Sequence, residues 1–256
     1  MYALITGASK GIGKQIAVEL AKKKFDLLLI ARSASQLEEV AKELKSKYDV
    51  KVDFLATDLS ATKSAETVFA WVTQHNYQIA VLVNNAGYGL AGLYEEVTLE
   101  QNRDMMNLNM ITLSEMCQVF LPMLKRNSQA YILNIASSTA YQAIPRMAIY
   151  AATKVFVLNF SRALKYELKD SPVSVTCVCP GATDTNFNDR AAIPDKARKA
   201  AEKVVMTPED VAKISVDAMF AGKTEVIPGV VNKLGAFLAW LAPKAVIEKV
   251  TAGIYE

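Results

Sequence analysis

Short, uniformly apolar runs alternate along the chain with longer stretches of helical periodicity. The runs cover residues 2–6, 26–31, 52–57, 79–84, 130–136, 173–179 and 225–228. Between the second and third runs, apolar residues recur at i, i+3, i+4 and i+7 with charged residues on the other face, which predicts a helix over 33–47. Such uniformly apolar strands are typical of a parallel sheet covered on both faces. The alternation therefore predicts a doubly wound α/β fold.

Two stretches interrupt this rhythm, although no linker or internal repeat divides the chain, which we interpret as one domain over 1–256. Residues 182–205 are polar and mixed in charge, and a long excursion of this kind predicts a flexible substrate lid. In the C-terminal segment 230–256, residues 234–242 are apolar nearly all round. Three interpretations of 234–242 stay open: core or subunit contact, cover of an apolar substrate pocket, or contact with a membrane, which the flanking Lys233 and Lys244 would tolerate.

Composition excludes several classes of protein. The chain has 256 residues, of which 52% are hydrophobic and 21% charged, with a net charge of +3. This is enough apolar surface for a large core, and without a long basic block we expect no nucleic-acid partner. Three cysteines without metal-site spacing and the lone His75, expected at a helix end, predict no metal site. The N-terminus has no secretion signal and no apolar run is long enough to span a bilayer, so we expect a cytoplasmic protein.

A glycine-rich loop follows the first strand. Residues 6–13 are TGASKGIG and lead into a helical pattern. Glycines in such a loop permit a tight turn and let backbone N–H groups approach a pyrophosphate at the positive end of the helix. The spacing G-x-x-x-G-x-G differs from the standard dinucleotide motif. On this motif alone, a tight turn without a ligand remains the alternative.

The end of the second strand indicates which dinucleotide would bind. Many NAD sites place an acidic residue there for the ribose hydroxyls. Here Arg32 occupies that end and Asp26 lies at the other end of the strand. Arg32, together with Lys10, has the chemistry to pair with a 2′-phosphate, so we expect NADPH rather than NADH.

Tyr150 and Lys154 are four residues apart in a helical pattern and share a face. An ammonium group near a phenol favours the phenolate, so we expect Lys154 to lower the tyrosine pKa from about 10 and to make Tyr150 a general acid near neutral pH. An exposed helix pair without catalytic function is the alternative that this pattern leaves open.

Taken in order, TGASKGIG, NNAG at 84–87, Ser137, Tyr150-x-x-x-Lys154 and Pro180-Gly181 resemble the short-chain dehydrogenase/reductase family across essentially the whole chain. The resemblance implies a single Rossmann-like domain of three α/β/α layers, with a seven-stranded parallel sheet ordered 3-2-1-4-5-6-7. It also implies a catalytic set of Asn109, Ser137, Tyr150 and Lys154, in which Asn109 matches the family asparagine better than Asn107.

The residues expected to bind NADP(H) lie at the strand ends and in the loop already described. They are Gly7, Ser9, Lys10, Gly11, Ile12, Gly13, Arg32, Asp58, Leu59, Asn85, Ala86, Gly87, Tyr150, Lys154, Pro180, Gly181, Thr183 and Thr185. The resemblance implies that Asp58 contacts the adenine and that Thr185 lies near the nicotinamide carboxamide.

The function expected from these motifs is reversible NADPH-dependent reduction of a ketone or aldehyde to an alcohol, without a metal. Ser137 and Tyr150 would bind the carbonyl oxygen, where negative charge develops, and Tyr150 would deliver the proton. Lys154 would support Tyr150 and the nicotinamide ribose, and Asn109 would anchor a water of the proton relay.

Three alternatives remain open. A 3-oxoacyl-thioester reductase uses the same chemistry, although Ser171 stands where those enzymes carry a basic residue. A catalytically silent NADP-binding regulatory protein would not need the complete catalytic set. A nucleotide-sugar epimerase also uses Y-x-x-x-K, but usually has a longer C-terminal substrate domain.

The substrate pocket is expected between residues 139–147 and the lid. Tyr141, Ile144, Met147 and Phe187 suggest an apolar lining and hence an apolar small-molecule substrate. The resemblance also implies a homo-oligomer, dimer or tetramer, formed through the helices after the fourth and fifth strands. In the second of these helices, residues 155–157 (Val-Phe-Val) replace the small residues that many members carry.

Overall fold

Seven parallel strands form one sheet in the computed structural model, which describes residues 1–185, 187 and 191–255 and, of Lys203, the backbone alone. The strands are β1 (Tyr2–Thr6), β2 (Asp26–Ala31), β3 (Val52–Ala56), β4 (Ile79–Asn84), β5 (Ala130–Ile135), β6 (Val173–Val178) and β7 (Glu225–Val226). Their order across the sheet is β3-β2-β1-β4-β5-β6-β7. The doubly wound Rossmann-like fold and the expected strand order are confirmed.

Helices connect and follow these strands. Those on the crossovers are α1 (Gly11–Lys22), α2 (Ala34–Tyr48), α3 (Ser64–Gln74), α4 (Leu99–Met106), α5 (Leu113–Leu124), α6 (Ala148–Glu167), α7 (Asp195–Ala201) and α8 (Pro208–Phe220). Two more, α9 (Val230–Leu241) and α10 (Lys244–Tyr255), follow β7. A π-helical turn (Asn107–Thr112) joins α4 to α5, and 3-10 turns cover Ser138–Tyr141 and Glu202–Val204.

Local sequence signals set several of these boundaries. All seven strands begin where the apolar runs begin, and four of them (β3, β5, β6 and β7) end one or two residues earlier than predicted. Ser33 is the N-cap of α2, its hydroxyl accepting a hydrogen bond from the Gln36 N–H at 3.4 Å. Thr207 caps α8 in the same way, with Pro208 in the first turn, and His75 lies at the C-terminal end of α3, as expected.

The core has two layers, one on each face of the sheet. Helices α3, α5 and α6 cover one face, where Val68, Phe120 and Val157 are fully buried. Helices α1, α2 and α8 cover the other, where Ile16 and Leu37 are fully buried. Since the strands are covered on both faces, their uniformly apolar sequences are explained. The polar side chains that remain for chemistry lie at the strand ends.

The C-terminal helices are only partly packed. Ala239 is buried, but most large apolar side chains of α9 face outward, with Trp240 71% exposed and Leu241 64% exposed. The interpretation of 234–242 as core of a single chain is therefore wrong for most of its side chains. Subunit contact and the other two interpretations are taken up below. Among the described residues, the helices lack the combination of length and apolar character that crossing a bilayer requires.

The predicted lid is partly helical. Thr183 pairs with Met206 in an isolated parallel bridge, and α7 lies between these two residues. Asn186, Asn188, Asp189 and Arg190 of the predicted lid, and the terminal Glu256, lie outside the described residues.

Candidate active site

A cleft of about 530 Å³ opens at the carboxyl ends of the central strands. Ligand pockets commonly have volumes of roughly 300–1,000 Å³. Of the residues predicted for cofactor and catalysis, the cleft is lined by Gly7, Ser9, Lys10, Gly11, Ile12, Arg32, Asp58, Leu59, Asn85, Ala86, Gly87, Ser137, Tyr150, Lys154, Pro180, Gly181, Thr183 and Thr185. Parallel strands bring these side chains together because their carboxyl ends meet at one edge of the sheet.

The glycine-rich loop is tightly packed beneath this cleft. Gly7 has a φ of +66°, in the left-handed region that favours glycine. A Cβ atom on Gly13 would lie 2.3 Å from the Gly7 carbonyl oxygen, so Gly13 packs against the loop and, unlike Gly7 and Gly11, does not line the cleft. Lys10 precedes α1 as its N-cap and has no side-chain acceptor to offer, which leaves backbone N–H groups of the first turn for an anion.

The side chains at the end of β2 carry the expected charge. Exposed Lys10 and Arg32 both line the cleft. Asp26 lies at the opposite end of β2, where its carboxylate accepts a hydrogen bond from the Lys51 N–H at 2.9 Å. At the end of β3, Asp58 lines the cleft and accepts hydrogen bonds from the backbone and hydroxyl of Ser60 at 3.0 and 2.8 Å. Lys10 and Arg32 thus make the part of the cleft near the end of β2 suited to a phosphate group.

The NNAG segment and Asn109 form a buried polar network. Thr6 accepts hydrogen bonds from the Asn85 and Ala86 N–H groups, tying the segment after β4 to β1. The Asn109 amide donates to the Tyr88 carbonyl at 2.9 Å and to the Thr153 hydroxyl at 3.1 Å, and its oxygen accepts from the Tyr88 N–H. Asn109 is 1% exposed and lies in the π-helical turn, so it is placed behind the cleft.

Tyr150 and Lys154 are buried neighbours on α6. The Lys154 ammonium nitrogen lies 5.7 Å from the centre of the Tyr150 ring and donates to the Ile135 carbonyl oxygen at 3.0 Å. A Cβ atom on Gly87 would lie 3.0 Å from Asn109 Oδ1 and 3.5 Å from Lys154 Nζ. The exposed helix pair that the spacing left open is therefore wrong, because both side chains are buried.

The acid–base properties of this pair differ from expectation. Burial raises the pKa of Tyr150 well above its ordinary value, while a hydrogen bond with Ser137 acts in the opposite direction. Burial also lowers the pKa of Lys154 from 10.5 to about 8. The predicted lowering of the tyrosine pKa is thus wrong for this structure, because the desolvation penalty on the phenolate outweighs the hydrogen bond with Ser137. Tyr150 is held in its protonated form.

The predicted substrate residues separate into two groups. Met147 and Phe187 line the cleft, with the Phe187 ring 5.4 Å from the Tyr150 ring. Ile144 is buried in the apolar cluster that underlies Tyr150. Tyr141 is placed elsewhere, because its hydroxyl donates to Glu225 at 2.6 Å on the edge strand β7. Tyr141 is therefore not part of the pocket wall.

Other cleft residues were not found from the sequence. They include Tyr88, Asp104, Leu108 and Tyr255, together with Ile193, Ala197 and Arg198 of the predicted lid. The Tyr88 hydroxyl donates to the Asp104 carboxylate at 2.7 Å. Tyr88 directly follows NNAG, which is a signal that could have been used, whereas no pattern near Tyr255 indicates that the C-terminus returns to the site.

A glycine next to Tyr88 makes room for Tyr150. A Cβ atom on Gly89 would lie 2.9 Å from Phe187, 3.0 Å from Tyr150 and 3.2 Å from Met147. Contacts at these distances would displace one of the three side chains. Gly89 therefore sets the close packing of Tyr150 against the apolar wall.

Within the described residues, His, Cys, Asp and Glu side chains form no cluster of three that could hold a metal ion. The arrangement offers instead an anion cradle, a buried tyrosine–lysine pair and an apolar wall beside them. Such a site can bind a phosphate-bearing cofactor and transfer a proton to an oxygen atom.

Comparison with known proteins identifies the family. The model of the short chain dehydrogenase family matches residues 1–196. The chain belongs to this family. An NADP-dependent 3-hydroxy acid dehydrogenase of Schizosaccharomyces pombe is 34% identical over 231 residues, which are 88% of each chain. A short-chain dehydrogenase from Sphingobium yanoikuyae, solved in complex with NADPH, superposes with a TM-score of 0.83 at 29% identity and covers 92% of this chain and 91% of its own.

A third relative is longer than this chain. The very-long-chain 3-oxoacyl-CoA reductase-B of Danio rerio is 32% identical over 193 residues, which are 73% of this short-chain dehydrogenase and 61% of that protein. The alignment therefore leaves a substantial part of the zebrafish reductase unmatched.

Proposed function

We propose that this short-chain dehydrogenase is an NADPH-dependent oxidoreductase that reduces a ketone or aldehyde to an alcohol, reversibly. The observation that carries the proposal is that Ser137, Tyr150 and Lys154 line the same cleft as the glycine-rich loop. Relatives named as an NADP-dependent dehydrogenase and a 3-oxoacyl-CoA reductase support it. A protein that only senses the cofactor would not need the buried tyrosine–lysine pair.

The residues of the cleft fit NADP(H). Backbone N–H groups at the start of α1 suit the diphosphate, and Lys10 and Arg32 supply positive charge where a 2′-phosphate would lie. The absence of an acidic residue at the end of β2 favours NADPH over NADH. When bound, NADPH supplies the hydride for the carbonyl carbon.

The protein's own residues handle the oxygen atom and the proton. Ser137 and Tyr150 donate hydrogen bonds to the carbonyl oxygen, where negative charge develops. Because burial keeps Tyr150 protonated, it enters the reduction as a general acid and transfers its proton to that oxygen. Lys154 is positioned by Ile135 to stabilise the tyrosinate that results and to hold the cofactor ribose.

Asn109 acts in this proposal as a positioning residue. Its side chain is bonded to the main chain of Tyr88 and to Thr153, one residue before Lys154. It therefore aligns the segment after β4 with α6. The relay water expected at Asn109 stays a prediction.

The apolar wall indicates the substrate class. Met147, Phe187 and Ile193 line the cleft beside Tyr150, so we expect a predominantly apolar carbonyl compound. A 3-oxoacyl thioester is the second candidate, and the similarity to the zebrafish 3-oxoacyl-CoA reductase favours it specifically. In either case, residues 182–205 would act as the lid of one domain that spans 1–256.

Assembly and location belong to the same proposal. Ile111, Val155 and Phe156 are exposed apolar side chains on the helical segments after β4 and β5. Their burial in a homodimer or homotetramer would remove this apolar surface from water. We place the enzyme in the cytoplasm, where NADPH and reduced cysteines are expected.

The proposal is tested by following NADPH consumption with purified protein and a panel of aldehydes, diketones and 3-oxoacyl thioesters. Turnover with NADPH and little with NADH is the expected result. The relative kcat/KM for simple ketones and for thioesters decides between the two substrate classes. Tight NADPH binding without turnover of any carbonyl compound would instead support the cofactor-binding regulatory protein.

A further inference from the structure

Helix α9 exposes an unusually apolar face. We define the α9 patch by its exposed large apolar side chains, which are Val230, Val231, Leu234, Phe237, Leu238, Trp240 and Leu241. All seven belong to one 12-residue helix. Scattered exposed apolar residues are normal on a protein surface, but a contiguous apolar patch of this kind indicates an interaction surface.

The patch is exposed although the helix is anchored to the fold. Asn232, Ala236 and Ala239, at helical spacing, form the inner face. The Asn232 amide donates to the Pro228 carbonyl oxygen at 2.8 Å and packs against Gly181 at the rim of the cleft. The Lys244 ammonium donates to the Ala239 carbonyl oxygen at 2.9 Å, at the C-terminal end of α9. The inner face thus fixes which side of α9 is presented outward.

The charged side chains of α9 and of the segment that follows it to residue 244 have one sign. Between residues 230 and 244 the only charged side chains are Lys233 and Lys244, and both are exposed. The next charged residues, Glu248 and Lys249, cancel each other. Large apolar side chains with Trp240 and Phe237 among them, flanked by lysines, have the composition of a helix that lies in a bilayer interface.

We propose that the α9 patch docks this enzyme on the surface of an anionic phospholipid bilayer. Charge complementarity decides between this partner and a second copy of the chain. A twofold interface would bring together two identical patches that carry positive charge only. An anionic headgroup layer offers opposite charge to Lys233 and Lys244, while the apolar side chains enter the acyl boundary.

The same C-terminal segment reaches the active-site cleft. Helix α10 follows α9 directly, and its last residues, Ile254 and Tyr255, pack in the apolar cluster around Tyr150. On α10, Val246 and Val250 are also exposed. In a protein docked through α9, one short helix would therefore connect the lipid surface to a wall of the substrate cleft. This arrangement suits an apolar substrate that partitions into lipid.

The test is sedimentation of the full-length protein with vesicles of phosphatidylcholine alone or of phosphatidylcholine with phosphatidylglycerol, without substrate. We expect binding to the anionic vesicles and at least tenfold weaker binding of Phe237→Glu and Trp240→Glu. Lys233→Gln should weaken binding roughly fivefold, as expected for one basic residue near an anionic surface. Leu99→Glu, which places the same charge at a 64% exposed leucine on α4, is the matched control and should bind like wild type.

Light scattering and circular dichroism accompany the vesicle experiment. Retained helix content and NADPH binding in each variant show that the fold is intact. If wild type fails to bind anionic vesicles, or binds as well after Trp240→Glu, the proposal is wrong. A dimer that Trp240→Glu converts to a monomer, without vesicle binding by wild type, would assign the patch to a second copy. Because no substrate is present, these outcomes are independent of the reductase assay.

Discussion

The Lys154 ammonium nitrogen lies 5.7 Å from the centre of the Tyr150 ring, and both side chains are buried in the floor of the cleft. Burial acts on the two groups in opposite directions, raising the pKa of Tyr150 and lowering that of Lys154 to about 8. Burial of the site therefore disfavours both charged forms. A protonated tyrosine is the form that carbonyl reduction consumes, so the site is prepared for this direction of the reaction.

Removal of Lys154 should change how stability depends on pH. Because its pKa in the folded protein is about 8 instead of 10.5, the folded chain binds fewer protons than the unfolded chain between these values. Between about pH 7 and about pH 10.5, the free energy of unfolding of wild type should thus rise by on the order of 2–3 kcal/mol more than that of Lys154→Met. Chemical denaturation of the cofactor-free protein at both pH values measures the difference. Lys125→Met, at an exposed site, should keep the wild-type pH dependence. An equal rise in the free energy of unfolding with pH in wild type and both variants would contradict the lowered pKa of Lys154.

Arg32 should control cofactor preference. Loss of one charge-assisted contact costs about 1.5–3 kcal/mol, so Arg32→Ala should raise the KM for NADPH roughly 10- to 100-fold. The KM for NADH, which has no 2′-phosphate, should change little. Arg126→Ala removes an exposed arginine at the end of α5 and serves as the control. Equal effects of Arg32→Ala on both cofactors would show that Arg32 does not contact the 2′-phosphate.

Gly89 should be sensitive to a single methyl group. The Cβ of Gly89→Ala would meet Tyr150, Phe187 and Met147 at 2.9 to 3.2 Å, so one of them must move. Displacement of Tyr150 by this contact should lower kcat by up to about 100-fold, with little loss of NADPH affinity. The same substitution at Gly235, where nothing lies within 4 Å, should leave activity unchanged. Normal kcat in Gly89→Ala would mean that the tyrosine tolerates this movement.

Tyr255 should affect substrate binding without taking part in proton transfer. It lines the cleft, and its pKa is raised by burial. Tyr255→Ala removes a large part of the pocket wall and should raise the KM for bulky apolar ketones by about 10-fold or more, in line with the roughly 1.5–3 kcal/mol of a buried side chain. Tyr255→Phe keeps the ring and should behave like wild type. A loss of kcat in Tyr255→Phe would assign the hydroxyl a part in the chemistry.

Most of the fold and the pairing of Tyr150 with Lys154 could be predicted because they depend on local patterns. Seven apolar runs became seven strands, and Tyr150 and Lys154 share a helix face wherever that helix packs. Their pKa values could not be predicted, since the spacing shows the neighbouring charge but not the burial that opposes it. Tyr141 was misplaced for a related reason: its partner, Glu225, lies on a strand far along the chain.

The C-terminal part shows a different limit. The apolar composition of 234–242 left core or subunit contact, cover of a pocket and membrane contact open, and α9 turns only Ala239 fully inward and leaves Trp240 exposed. Hydrophobicity alone does not distinguish a core helix from one that contacts another surface. Tyr255 escaped prediction because its place in the cleft depends on how α10 packs against the lid helix, which no local pattern describes.

The most direct test of the account is turnover by Tyr150→Phe measured together with its affinity for NADPH. The substitution removes one hydroxyl from a buried ring and leaves Phe187, Lys154 and the glycine-rich loop in place. If Tyr150 is the general acid, kcat should fall by about 100-fold or more while NADPH binding, followed by fluorescence, stays within about threefold of wild type. Near-normal turnover by this variant, with NADPH bound as before, would contradict the central claim.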